Sequence, residues 1–445
     1  MVKDMTNGSP SKHILGFAVP MLFGMLFQQF YNLVDTIIVG KTLGVEALAG
    51  VGATGSINFM IIGFCMGVCN GFVIPVAQCF GAKKPADLRK YVFNGYICSI
   101  VFAIVLTLAS VIFCRRILII MNTPADIIDH AYNYIVVIFI GIPTVFLYNM
   151  VSGVIRSLGD SKTPVVFLVL SSIINVVLDF FLILVCKMGV AGAGWATVTS
   201  QLISGLTCLK KYDILKGDKS ERVLDRRFIT NLCMNGVPMG LQYSITAIGS
   251  TILQAAVNTL GSTYVAAMTA GSKMFNFTCC PFDALGSTMA TYAGQNVGAA
   301  KIKRLGQGVR SAMIIGSVYS VLSLIALYFT TDYIALLFVN ASETTIIALT
   351  RQFILASACF YIPLTGVNVV RFCIQGMGFS VFAISAGILE MIGRAFAAII
   401  LIPNIGFMGA CLASPIAWIA ADAFLFPAFI HCAKKLNARH NIKSN

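Results

Sequence analysis

Residues Phe17 to Gly40 read FAVPMLFGMLFQQFYNLVDTIIVG. The stretch is apolar and longer than the roughly 20 residues a helix needs to cross a bilayer. It nevertheless carries Gln28, Asn32 and Asp35, spaced four and then three apart and therefore on one helix face. A carboxylate at bilayer depth costs on the order of 2.5–3.5 kcal/mol on insertion scales, so Asp35 is the first candidate for a functional residue. Pro20, earlier on the same helix, removes one backbone donor and permits a bend there.

The rest of the chain has the same character. Of its 445 residues 58% are hydrophobic and only 11% charged, against about 25% charged in soluble domains. The composition is that of a polytopic, all-α membrane protein. A net charge of +14 raises nucleic acid as a partner, but the basic residues sit in short loops between apolar runs and form no basic helix face or tail. The lipid bilayer is the expected partner instead. Fourteen cysteines are scattered, mostly within apolar runs, with no Cys-x-x-Cys and only four His. That pattern predicts no metal centre and no cofactor. The start, MVKDMTNGSPSKH, lacks the apolar core and small-residue cleavage site of a signal peptide, so the first span is expected to be retained.

Apolar windows of membrane length predict twelve transmembrane helices. They fall near 14–39, 49–77, 92–113, 131–153, 165–186, 190–209, 232–257, 265–293, 308–330, 351–373, 382–403 and 408–432. With the N-terminus inside, 23 of the 31 Lys and Arg face the cytoplasm, five face outward (Lys41, Arg115, Arg116, Lys187, Arg351), and Lys273, Arg371 and Arg394 lie in or beside spans. This bias puts both termini in the cytoplasm of a multi-pass cell-membrane protein. The basic loop 210–230 divides an N-terminal six-helix lobe (1–209) from a C-terminal one (231–445).

The lobes read as copies. A shift of 217 residues aligns Thr42-Leu43-Gly44 with Thr259-Leu260-Gly261, and Gln78, Gly81, Ala82 and Lys84 with Gln295, Gly298, Ala299 and Lys301. Eleven of the 51 positions from Thr42 to Val92 are identical, where chance gives about four. Pro20 meets Pro238 at a shift of 218. Repeats of six spans each cross the bilayer in the same sense, which predicts a pseudo-twofold along the membrane normal and a substrate path between the halves.

Span five holds Asn175 and Asp179 at i and i+4. At ~1.5 Å per residue, Asp35 and Asp179 both fall in the outer half of the bilayer, and Thr197 of span six lies at a similar level. Two carboxylates, an amide and a hydroxyl at one depth suit Na⁺ or a shared proton. Neutral side chains could make ordinary interhelical hydrogen bonds at lower cost, which weighs against a purely structural role.

The proline-bearing first helix with its Asp, Asn175-x-x-x-Asp179, and the loops Gln-x-x-Gly-Ala at 78–82 and Gln-x-x-Gly-Ala-Ala at 295–300 resemble the MATE family. These are multidrug and toxic compound extrusion transporters, and the resemblance runs from Pro10 to about Lys435. It implies alternating-access export of amphipathic, often cationic drugs or metabolites against inward flow of H⁺ or Na⁺, by a single chain. It further implies that Asp35, Asn175, Asp179 and Thr197 match the N-terminal-half cation site of one branch. Another branch uses an acidic residue in span seven, where this chain has only Gln242 and Gln254 as candidate polar groups of that size.

The second half holds buried charges of its own. Glu390 and Arg394 in span eleven stand at i, i+4 and are expected either to pair structurally on one helix or to belong to the substrate cleft. Lys273 is either a partner for Glu390 or, with Asp283, Gln28 and Asn32, a substrate-cleft residue, and Asp422 is a second-rank candidate. Met and Phe, 18 and 32 in number, supply lipid-facing and pliable surfaces. A lipid-linked oligosaccharide flippase of the same superfamily is the alternative within transport, although such proteins carry more buried cations. The loop GAKKPADLRK lacks the Gly-Asp-Arg pattern of major-facilitator carriers. Neither a nucleophile or metal constellation nor a phosphate-binding loop is present, so neither an enzyme nor an ATP-driven pump is expected.

Overall fold

A computed structural model describes residues 3–121, 123–210, 221–337 and 341–444. Of the linker expected at 210–230, positions 211–220 lie outside the described residues. Among the described residues helices are joined by short turns and loops, and there is no strand. In order the helices are α1 (Pro10–Leu43), α2 (Val45–Ala53), α3 (Gly55–Phe72), α4 (Ile74–Gly81), α5 (Pro85–Ile120), α6 (Ile128–Ile140), α7 (Ile142–Ser157), α8 (Lys162–Phe180) and α9 (Val190–Lys210). There follow α10 (Arg226–Asn258), α11 (Ser262–Gly298), α12 (Lys303–Ala335), α13 (Thr344–Ala358), α14 (Tyr361–Gly376), α15 (Val381–Phe396), α16 (Ile402–Ile405) and α17 (Phe407–Ser444). Wide π-helical turns continue α8 and α15, at Phe181–Val185 and Ala397–Leu401.

Among the described residues, seven helical stretches are long and apolar enough to cross a membrane, and up to nine if two bent pairs each count as one span. Those pairs are α6–α7, bent by 46°, and α13–α14, bent by 51°. Pro143 opens α7, where its missing N–H and fixed φ favour a restart over a straight continuation. The expected spans 190–209, 232–257 and 265–293 are helical as α9, α10 and α11 but fall short of the same standard. Their faces carry Gly, Ser, Thr, Asn and Gln where lipid-facing helices carry Leu, Ile and Phe. Span 49–77 is interrupted twice, between α2, α3 and α4.

The chain forms two compact units. The first comprises Met1–Asp4 and Phe23–Ser244. In it α2 packs on α6, α3 on α7, α5 on both α6 and α7, and α9 against α6, α7 and α8. Phe72, Phe139, Phe146 and Leu118 are fully buried in its core. The second unit comprises Met5–Leu22 and Ile245–Asn445. In it α11 packs on α13 and α14, α12 on α11, α13 and α14, and α17 against α13, α14 and α15.

A division at loop 210–230 differs from these units at two places, because residues 5–22 and 226–244 pack with the unit opposite in chain order. For α10 the reason is steric. Gly67 and Gly71 of α3 face Gly236 and Gly240 of α10, and a Cβ on Gly71 would stand 2.4 Å from Gly236 Cα. Small residues four apart let two helix backbones approach closely in lipid, where apolar burial drives no association. For the N-terminal segment the reason is polar. Met5 N donates to Gln295 Oε1 at 2.9 Å, and Arg304 Nη2 donates to the carbonyls of Met5 and Gly8 at 3.3 and 3.0 Å. Pro20 and Pro238 lie inside unbroken helices, the first two residues before α1 passes from one unit to the other.

Candidate functional site

Three helices of the first unit bring Asp35, Asn175, Asp179 and Thr197 together. Asp35 is half-buried on α1, whereas Asn175 and Asp179 are 1% and 0% exposed on α8. The carboxyl groups of Asp35 and Asp179 lie within hydrogen-bonding range of each other. Asn175 Nδ2 donates to Thr197 Oγ1 on α9 at 3.4 Å, and Thr197 Oγ1 donates on to the Ala193 carbonyl at 3.2 Å. The π-helical turn at Phe181–Val185 begins two residues after Asp179, and such turns occur frequently at functional sites.

The electrostatics of this group are one-sided. Asp35 Oδ1, Asn175 Oδ1 and both carboxyl oxygens of Asp179 are buried with no hydrogen-bond donor. Burying acceptors without donors is costly, and burying two carboxylates side by side adds repulsion. A proton held between the carboxyls, or a small cation on the converging oxygens, removes both penalties. Tyr31 and Tyr134 complete the surroundings. The Tyr31 hydroxyl is in hydrogen-bond reach of Gln28, and Tyr134 is buried beside Tyr31, Asp35 and Asp179. Sequence reasoning passed over both tyrosines. Tyr31 stands one turn before Asp35 and was readable from the same face rule, whereas Tyr134 is one hydroxyl in an apolar span with no spacing to mark it. Of the cleft candidates on α1, Gln28 joins this group through Tyr31, and Asn32 is exposed, its carbonyl accepting from Thr36 Oγ1 at 2.8 Å.

The second unit holds a separate charged group, in which the expected Glu390–Arg394 pair is joined by a third residue. Glu390 takes its short contact from Arg371 of α14, whose Nη1 donates to Oε1 at 2.7 Å. Arg394 Nη2, on Glu390's own helix, is 3.6 Å from the other oxygen. Lys273, expected as a partner for Glu390 or a cleft residue, is exposed and makes no contact with it. The guanidinium fork of Arg371 reaches across from a neighbouring helix and takes the carboxylate first. Asp283 is exposed on α11 within electrostatic reach of Arg371. Asp422, half-buried on α17, rests against the backbone of Gly366. Among the described residues no group of three or more His, Cys, Asp and Glu is arranged to hold a metal ion.

The chain is similar to known transporters along most of its length. It is 30% identical over 343 residues to the probable multidrug resistance protein YoeA of Bacillus subtilis, covering 75% of this chain and 74% of that protein. To the probable multidrug resistance protein YpnP of the same organism it is 29% identical over 373 residues, covering 82% of each. Its fold matches a solved outward-facing structure of a multidrug resistance MATE family transporter with a TM-score of 0.91, at 21% identity over 97% of this chain and 98% of that one. The MatE family profile matches residues 20–181 and again 238–400. With the profile matched twice along most of its length and a relative 30% identical, the chain belongs to the MatE family of multidrug and toxic compound extrusion transporters.

Proposed function

We propose that this protein is a secondary-active exporter of amphipathic, often cationic compounds, driven by inward movement of a cation bound at Asp35, Asn175, Asp179 and Thr197. One observation carries the reading: four buried acceptor oxygens without a donor lie together on two helices of one unit, α1 and α8. A proton is the ion that suits two carboxyls in hydrogen-bonding range of each other. Na⁺ is the second reading, favoured by the unpartnered amide oxygen of Asn175 beside the carboxyls. The relatives' descriptions as multidrug resistance proteins support drug export over lipid-linked oligosaccharide flipping.

The proposal includes twelve spans in two six-helix repeats, with both termini cytoplasmic and one chain as the working unit. The two profile matches, offset by 218 residues at their starts, support the repeat. So does the recurrence of a π-helical turn after α8 and after α15. In the transport cycle, uptake of the ion removes the repulsion between Asp35 and Asp179 and lets α1 bend at its proline-weakened turn. Substrate and ion then favour different states, which coupling requires, because a ligand of equal affinity for both shifts nothing. The test is export of ethidium from proteoliposomes with pH and Na⁺ gradients imposed one at a time. Export driven by the pH gradient alone supports the proton reading, and export driven by the Na⁺ gradient alone supports the second. Export driven by neither removes the proposal.

A further inference from the structure

We propose that Asp422 is a second proton-binding residue of this protein, set in the C-terminal unit and linked to the Arg371–Glu390 ion pair. The geometry of the side chain carries the proposal. Asp422 stands one turn after Trp418, whose indole stacks on Phe275 at 5.9 Å with the planes 8° apart, so its helix face is fixed by packing. Its carboxyl group presses on α14 at a glycine: a Cβ on Gly366 would lie 2.5 Å from Oδ2 and 2.8 Å from Oδ1. Oδ1 is buried and has no hydrogen-bond donor. A carboxylate in this position is ionised at high cost, and a bound proton removes that cost.

The neighbouring cations are already engaged. Arg371 is the basic group acting on Asp422, but its Nη1 is given to Glu390 and its Nη2 to Asn368 Oδ1 at 3.5 Å. Arg394, 8% exposed, keeps one nitrogen near Glu390 and has Nη1 unpartnered. The other elements packed on α17 add little. From α13 comes Arg351, whose Nη1 is held by Asp332 at 2.6 Å, and the turn 397–401 and α16 have no titratable side chain. From α11, Asp283 acts on Arg371. Glu390 thus lies between two arginines while Asp422 has no direct partner.

Arg371 Nε is also buried without a partner. An orphaned donor on α14 and an orphaned acceptor on α17 are complementary, and these helices pack together. With Asp422 protonated, Arg371 stays on Glu390 and ties α14 to α15. When the proton leaves, the bare carboxylate draws Arg371 toward α17, and Glu390 is left to Arg394. One proton therefore decides which neighbour α14 is tied to, a two-state element of the kind that couples sites.

Infrared spectroscopy of the purified full-length protein tests this without any transported compound. The absorption of protonated carboxyl groups is followed during a pH titration. The Asp35→Asn/Asp179→Asn double variant should retain a component that titrates apart from the exposed carboxyls, and Asp422→Asn introduced into it should remove that component. Arg371→Lys, which keeps the charge but loses the fork, should leave the component and move its midpoint by at least half a pH unit, about three-fold in proton affinity. Persistence of that component at full intensity in the folded triple variant overturns the proposal. An unmoved midpoint in Arg371→Lys overturns the link to the ion pair.

Discussion

Arg371 on α14 donates to Glu390 on α15 at 2.7 Å, while Arg394, one turn along from Glu390, stands 3.6 Å from its other oxygen. The interhelical contact is the shorter, so it bears more of the carboxylate's charge. Removing one partner of a buried pair leaves an uncompensated charge and costs about 3–5 kcal/mol. Arg371→Met should therefore lower the thermal midpoint of the purified protein strongly, and Arg394→Met clearly less. Equal losses in the two variants would show that the α15 pair, rather than the α14–α15 pair, holds Glu390.

Gly71 and Gly236 define the closest backbone approach between α3 and α10, with 2.4 Å left for a Cβ at Gly71 and backbone on the other side. Backbone cannot turn aside as a side chain can. Gly71→Ala should destabilise by about 1–3 kcal/mol, the usual range for overpacking. Gly52→Ala on α2 is the control, since nothing lies within 4 Å of that position. There the better helix propensity of Ala should leave stability unchanged or raised. A melting curve of each variant in detergent checks both, and a neutral Gly71→Ala counts against the close packing.

The N-terminal segment is pinned by side chains from near the Gln-x-x-Gly-Ala-Ala motif. Arg304 gives Nη2 to the Met5 and Gly8 carbonyls and Nε to Asn296 Oδ1 at 2.9 Å. Arg304→Ala should free residues 5–8 for proteolysis while leaving the global melting temperature nearly unchanged, because local opening draws on local contacts. Unchanged protection of the segment would mean that the bonds of Met5 N to Gln295, of Asn296 Nδ2 to the Met5 carbonyl at 3.4 Å and of Lys301 Nζ to the Thr6 carbonyl at 3.0 Å suffice without the arginine.

Much of this was legible from one chain. Asp35, Asn175 and Asp179 declare themselves because a polar side chain in an apolar run is conspicuous, and helical spacing then fixes which share a face. Thr197 followed from depth. The Glu390–Arg394 pair could be read from its i,i+4 spacing, but the shorter contact from Arg371 could not, because spacing within a helix is visible and contacts between helices are not. Arg371 precedes Glu390 by 19 residues, across a turn that no local rule bridges. The exchange of residues 5–22 and 226–244 between the packing units was hidden for a related reason. Gly67, Gly71, Gly236 and Gly240 are readable as small-residue stripes, but only the fold says which stripe meets which.

The carboxyl pair itself makes the sharpest prediction. Asp35 and Asp179 lie within hydrogen-bonding range, and both oxygens of Asp179 are buried without a donor. If the two hold one ion between them, neutralising either imitates the ion-bound state and removes the alternation that export requires. Asp35→Asn should fold, bind substrate weakly and lose gradient-driven export. Asp179→Asn should behave alike. Residues that act as a unit are far from additive, so the double variant should export little worse than either single one. Tyr134→Phe removes a neighbouring hydroxyl but neither carboxyl, and should weaken export without abolishing its dependence on the gradient. Proteoliposome export of ethidium, run for all four variants under pH and Na⁺ gradients in turn, reads out each of these. Wild-type export by Asp35→Asn with normal gradient dependence ends the mechanism, because an exchange that survives without the α1 carboxyl does not run through the pair.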